Sequence, residues 1–258
     1  MAKYILGDRE PHYTQDYGSG GWCSLCQSSS SDQKNLSATA KIIYNALSNN
    51  EIEDYAYMIK FIKYRYPVAV SHLTHYLENH SDGQEDIHYD LQMMQYFMQK
   101  SRELRMLFER ELQEAQKFCD DISGILLPGI YKISSTVASH GDFRNENADL
   151  FYAIGGYQCW GKGELTVTEI PYTKHIPAMS NDKDIKSRGR YDFNLLFTFV
   201  FFDRYNWNIT SKDSKGVLLG GVLPLQDTFM GQFHQMGLAR EYNIWGELNK
   251  KIQWAESL

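Results

Sequence analysis

No run of about 18 apolar residues occurs anywhere in the chain, which removes a membrane-spanning helix from the expectations. The opening residues MAKYILGDREPHYTQ lack the apolar centre and cleavage site of a secretory signal. If the protein works outside its own cytoplasm, a carrier or secretion apparatus is expected to deliver it. Positive charge is scarce as well. The net charge of −6 argues against a dedicated nucleic-acid binder, because counterion release needs clustered Lys and Arg. A P-loop, a dinucleotide fingerprint, a G-x-S-x-G elbow and an H-E-x-x-H pair are all missing, so the standard signatures of those chemistries are excluded. The chain has only 4 cysteines. Cys23 and Cys26 have the spacing of a zinc ribbon or redox pair, but Cys119 and Cys159 are scattered and no close His completes a ligand set. Two incidental thiols in a loose tail are the expectation.

Of the 258 residues, 43% are hydrophobic and 22% charged, which is ordinary for a globular chain with a real core. Residues 1–35, rich in Gly, Ser and Gln, read as a flexible N-terminal tail. Apolar residues spaced at three and four in LSATAKIIYNALSNN and EIEDYAYMIKFIKYRY predict helices. Pro67 opens a third, PVAVSHLTHYLENH, which completes a helical N-terminal region over 36–82 and ends at Ser81-Asp82-Gly83. His72 and His75 within it read as structural or solvated. From Glu85 to about Asp120 the pattern predicts one longer helix, whose Met-Met-Tyr-Phe-Met stripe is a packed face. Beyond Leu127-Pro128-Gly129 the character turns to strands. AIGGYQCWGKGELTVTEI reads as a bent strand pair, and RYDFNLLFTFVFFDRYNW as a strand with both faces covered. GVLLGGVLPL reads as a short strand broken at Gly220-Gly221. TFMGQFHQMGLAREY reads as a helix closing near Gly237, and EYNIWGEL as a last strand. The fold class expected is α+β, with helices followed by an antiparallel, open half-barrel-like sheet that makes 83–258 the catalytic domain.

FNLLFTFVFFDRYNWN poses the chemical question. Asp203 sits where a buried strand emerges, a position suited to a catalytic or metal-binding carboxylate, or to the capping of a turn. Tyr205, two residues on, shares its side in an extended chain. Lys212 and Lys215 follow in a loop and either reach an anion or face solvent. His234, with Asp227 upstream and Arg240 downstream, is a satisfied semi-buried residue or, with Asp203 nearby, a general acid or base.

Several blocks resemble the activity domain of the colicin M family of bacteriocins, which hydrolyse lipid II. Gln95-Tyr96-Phe97-Met98 is similar to the family's helix end, Gly163-Glu164-Leu165-Thr166-Val167 to its Gly-containing strand, and Asp203-Arg204-Tyr205-Asn206-Trp207-Asn208 to its Asp-x-Tyr motif. The segment from Glu241 to Leu248 is similar to its closing strand, and DRYNW with FMGQFHQMGLAREY also resembles secretion-system toxin modules. Asn206 stands where the family has a second aspartate, and the family's His-Arg pair is absent, so Lys215 or His234 would take over. The resemblance implies a phosphodiesterase that uses Mg²⁺ or another divalent cation, with Asp203 as metal ligand. Asp203, Tyr205, Asn206 and His234 would be catalytic, and Lys215 and Arg240 would bind substrate. It implies a secreted antibacterial effector acting on lipid II at the membrane surface of the target-cell periplasm, with a cognate immunity protein. A nuclease-type toxin and a non-enzymatic interaction protein are the rival expectations.

Overall fold

A computed structural model of the chain describes residues 3–13, 63–78, 86–170, 190–207, 217–219, 223–225 and 227–257. Its centre is two 16-residue strands, β6 (Arg190–Tyr205) and β9 (Tyr242–Ser257), paired antiparallel from Arg190↔Ser257 to Tyr205↔Tyr242. On the far side of β6 lies β5 (Gly156–Ile170), whose outer edge carries β3 (Gly129–Ser135) and then β4 (Ser139–Asp142). β1 (Tyr4–Leu6) pairs with β3, and β2 (Ile87–Tyr89) pairs parallel with β9, giving a seven-stranded open sheet in the order β1-β3-β5-β6-β9-β2. A separate hairpin joins β7 (Val217–Leu219) to β8 (Leu223–Leu225). The α+β class and the open, mostly antiparallel sheet are therefore as expected.

Helices cover one face. They are α1 (Pro67–Glu78), α2 (Leu91–Lys100), α3 (Arg102–Ser123), α4 (Ala148–Ala153) and α5 (Asp227–Gln235). Leu104, Leu107, Ala115 and Cys119 of α3, at helical spacing, join Phe193, Leu195, Phe197, Phe199 and Phe201 of β6 in one apolar core. The opposite face holds a small second cluster of Ala138, Trp160, Val200 and Phe202, with Tyr13 and Trp245 against it. Only the last part of β6 is thus buried on both sides. Earlier it alternates, and Leu196 is 48% exposed, because the second cluster reaches only one end of the strand. Among the described residues no helix is long and apolar enough to cross a membrane.

Several expectations need correction. The tail is not loose at its start. Tyr4 is fully buried, its hydroxyl donates to Glu111 Oε2 at 2.9 Å, and Lys3 pairs with the same buried carboxylate. The long helix after Glu85 is β2, α2 and α3, because Ser101 caps both helices. Its amide donates to the Phe97 carbonyl and its Oγ accepts from the Leu104 amide at 2.9 Å. The strand pair after Ala153 is a single strand, β5, entered through Gly155 at φ +73°. Gly161 within β5 leaves room for the Tyr4 hydroxyl and the Phe197 ring, which any Cβ there would strike. The division at residue 82 also separates packed neighbours, since Val68, Ala69, Leu73 and Tyr76 of α1 lie in the same core as the sheet. Residues 36–62, which hold the first expected helix and most of the second, the Cys23/Cys26 pair, Ser81-Asp82-Gly83 and the loop from Lys174 to Gly189 lie outside the described residues, while residues 63–65 at the end of the second are helical as expected.

Candidate functional site

The end of β6 is where chemistry collects. Strand alternation continues the core face from Phe201 through Asp203 to Tyr205, while Arg204 turns to the other side. There Arg204 donates to Asn243 Oδ1 at 2.9 Å and pairs with Glu241 at 3.5 Å. Asp203 is half-buried as a residue, yet its Oδ2 is out of solvent and has no hydrogen-bond partner. Burial pushes this carboxyl well above the usual carboxylate range, and a backbone hydrogen bond from Arg204 only partly opposes it. Burial at this position therefore favours the protonated form of Asp203.

Three phenols come within electrostatic reach of it: Tyr89 from β2, Tyr205 from its own strand and Tyr242 from β9. Register explains two of them. Tyr205 lies directly opposite Tyr242, and their rings stack at 5.2 Å and 15°. Tyr89 arrives because β2 is held onto β9, where Asp86 accepts the Asn243 amide at 3.0 Å and the Trp245 indole N–H at 3.2 Å. Into this cage α1 inserts His72, which is only 2% exposed. Its ring stacks near those of Tyr205 and Tyr242 at 5.6 and 5.9 Å. Its Nδ1 is 2.6 Å from the Tyr242 hydroxyl, and its Nε2 is hydrogen-bonded to the Tyr89 hydroxyl. Burial, with a smaller contribution from His75, lowers the His72 pKa to about 3, so the imidazole is neutral.

α1 is aimed by α4. Asp149 accepts the Val68 amide at 3.1 Å and the Ala69 amide at 2.9 Å, capping the first turn behind Pro67. On the outer side of α1 a depression of about 410 Å³ opens, with Lys63, Ser71, His75 and Ile87 in its lining. His75 packs edge-on against Tyr242 at 4.5 Å, so this opening borders the phenol–imidazole cage.

Asp203 and Tyr205 therefore meet as expected, on one face of one strand. His234 comes from another element. It is buried in the last turn of α5, where its Nδ1 accepts the Glu241 amide at 3.1 Å and ties that helix to the start of β9. Its link to Tyr205 runs through Tyr76, whose ring lies 5.6 Å from that of Tyr205 and whose hydroxyl donates to the Met230 carbonyl at 2.7 Å. Arg240 is half-buried, its amide donating to the Tyr76 carbonyl at 2.9 Å. Asn206 follows the strand and is half-buried. Lys215 lies outside the described residues. His72, Tyr89 and Tyr242 were not foreseen. The available signal was His72 and Tyr76 one turn apart on the apolar stripe of α1, two polar tips on a buried face.

The expected metal role of Asp203 fits this arrangement poorly. Mg²⁺ takes oxygen ligands in open octahedral geometry and retains several waters. Here the Asp203 carboxyl favours its protonated form, which offers a cation little negative charge. Both His72 nitrogens are engaged, and among the described residues no group of three His, Cys, Asp or Glu could hold a metal.

Comparison of the chain with protein-family models, with curated proteins and with solved structures found no match.

Proposed function

We propose that the chain is a hydrolase of the polyprenyl–pyrophosphate linkage in lipid II, an antibacterial effector that stops peptidoglycan synthesis in the periplasm of a competing cell. A secretion apparatus would carry it there, and a cognate immunity protein would protect the producer. The observation that carries this reading is the unpartnered Oδ2 of Asp203, held as an acid beside Tyr205 at the end of a core strand. The Asp-x-Tyr motif that resembles the colicin M family falls at this place in the fold.

The chemistry needs such a group. Water attacks phosphorus, a new P–O bond forms, and the P–O bond to the polyprenyl oxygen breaks with its electron pair on that oxygen. An alkoxide is a poor leaving group unless it is protonated as it departs, and Asp203 would supply that proton once substrate entry exposes its covered oxygen. The proton lost by the attacking water restores the carboxyl. Tyr205 would orient the phosphoryl group, and Asn206 could donate its amide to it. Arg240 and Lys215 remain the candidates for balancing pyrophosphate charge. No step is routed through a metal at Asp203. Any Mg²⁺ would enter with the pyrophosphate, as part of the substrate.

The test is purified protein with labelled lipid II in detergent, with Mg²⁺ and with EDTA. The expected products are free polyprenol and the pyrophosphate-linked sugar–peptide, lost in Asp203→Ala. Lipid II left intact by the parent protein under both conditions overturns the reading. Killing from cytoplasmic expression without export would point to a nuclease instead.

A further inference from the structure

His72 is the polar residue of the cage with the most constrained hydrogen bonds, and those constraints have a direction. A tyrosine hydroxyl has one proton, and a neutral imidazole has one donor and one acceptor nitrogen. The Tyr242 hydroxyl donates to the backbone carbonyl of His72 at 3.0 Å. With its proton assigned to that carbonyl, the hydroxyl accepts at its 2.6 Å contact with Nδ1, and Nδ1 carries the imidazole proton. Nε2 is then the acceptor, and the Tyr89 hydroxyl must donate to it. That assignment gives one order: Tyr89 O–H to Nε2, Nδ1–H to Tyr242, Tyr242 O–H to the His72 carbonyl.

This order accounts for the orphan oxygen of Asp203. Two of the phenols on its face of the sheet, Tyr89 and Tyr242, have no proton left to give in that order. We propose that His72 is a positioning residue of the Asp203 site, drawing the phenol protons of Tyr89 and Tyr242 away from that carboxyl so that no phenol stabilises its ionised form. A carboxyl that no phenol serves stays an acid, ready to give its proton to a leaving oxygen. The remaining titratable neighbours do not change this. Tyr205 shares the strand, Asp149 faces Tyr89 from α4, and His75 faces His72 from the next turn of α1. The inference rests on the hydrolase reading for its catalytic consequence, but the hydrogen-bond order stands without it.

Two variants separate positioning from packing. The Gln side chain places an acceptor near the Nε2 position, and Asn reaches only the Nδ1 position. His72→Gln should therefore keep Tyr89 engaged and retain most activity. His72→Asn should free the Tyr89 proton for Asp203, lowering kcat about 10- to 100-fold, as small losses of alignment do. The pH–rate profile adds a readout that packing would not move. Activity that needs the protonated carboxyl falls as pH rises. In His72→Asn this alkaline limb should move to lower pH, because the freed phenol now favours the carboxylate. In Tyr89→Phe, which has no proton to free, it should not. Equal losses in His72→Gln and His72→Asn with unshifted limbs overturn the proposal. Nitrogen NMR of the full-length protein supplies the second arm. His72 should show the neutral Nδ1–H tautomer from pH 5 to 8, as roughly expected of an imidazole whose pKa lies far below that range. An Nε2–H tautomer, or titration near neutrality, overturns the hydrogen-bond order and with it the proposal. A parent protein that leaves lipid II intact overturns the hydrolase reading and the catalytic part of the inference, and the NMR result then decides the hydrogen-bond order alone.

Discussion

Asp203 is held in a place that opposes its charge, and the consequence should be measurable in stability as well as activity. Its pKa in the folded state is raised above the unfolded value of roughly 3.9. Between those two values the folded chain keeps a proton that the unfolded chain has released, so the stability it contributes is complete below the unfolded value and declines as pH rises. Asp203→Asn removes the titrating proton at nearly constant volume. At pH 7 it should be more stable than the parent by roughly 1–3 kcal/mol, because the unfolded parent is favoured by ionising Asp203 there and the unfolded variant is not. It should also be inactive. Urea denaturation at several pH values checks both, and a destabilised Asp203→Asn would contradict the buried-acid assignment. His72 has the opposite sign. Its pKa falls from an ordinary 6.5 to about 3, chiefly through burial, so its contribution is complete above 6.5 and is lost as pH drops towards 3. His72→Gln should lose less stability than the parent over that acid interval, and an unchanged acid limb would count against the buried neutral imidazole. Asp203 and Tyr205 were legible in the sequence because a polar motif ends an apolar run. His72 was not. Its partners Tyr89 and Tyr242 lie 17 and 170 residues away, and local spacing cannot register the second of these.

At the scale of elements, capping rather than composition decides where the site's helix points. Asp149 reaches from α4 to the first amides of α1, whereas Ser101 caps α3 from the adjacent residue. Both Asp149→Ala and Ser101→Ala should cost about 1–2 kcal/mol in thermal or urea unfolding. Only Asp149→Ala should also lower the proposed lipid II hydrolysis, because only α1 carries His72 into the cage. Equal activity in the two variants would detach α1 from function. The same contrast explains which elements were readable. α3 shows its periodicity openly in Leu104, Leu107, Ala115 and Cys119, so its existence was plain. The break at Ser101 was hidden because the apolar period runs on through it, and only the reciprocal hydrogen bonds end α2 there. β9 was visible in EYNIWGEL, but its continuation through Lys250 and Lys251 was not. That half of the strand is polar, and it is ordered by pairing with β6 along its whole length.

At the scale of the whole molecule, the segments that looked separable are the ones that complete the sheet and the site. β1 supplies Tyr4 to the core, with its hydroxyl on the buried Glu111, and α1 supplies Tyr66 just before it, then Val68, Leu73 and Tyr76. A boundary at Gly83 suited the sequence because Ser-Asp-Gly is a good turn and the helices before it carry no chemical motif. Turn chemistry, however, reports a change of direction and not a lack of packing. A fragment of residues 83–258 would lose those five large side chains from the core. At about 1.5–3 kcal/mol for each large buried side chain, the deficit is about 8–15 kcal/mol, comparable with the whole stability of a typical domain. The fragment should therefore show no cooperative thermal transition, fast amide exchange in β6 and β9, and no hydrolysis. It would also leave Tyr89 and Tyr242 without His72, so that even a folded remnant would have a different proton arrangement around Asp203. Were the fragment to melt at the parent's temperature and cleave lipid II at the parent's rate, the catalytic unit would begin after α1, and the cage around Asp203 would be a packing feature with no part in the chemistry.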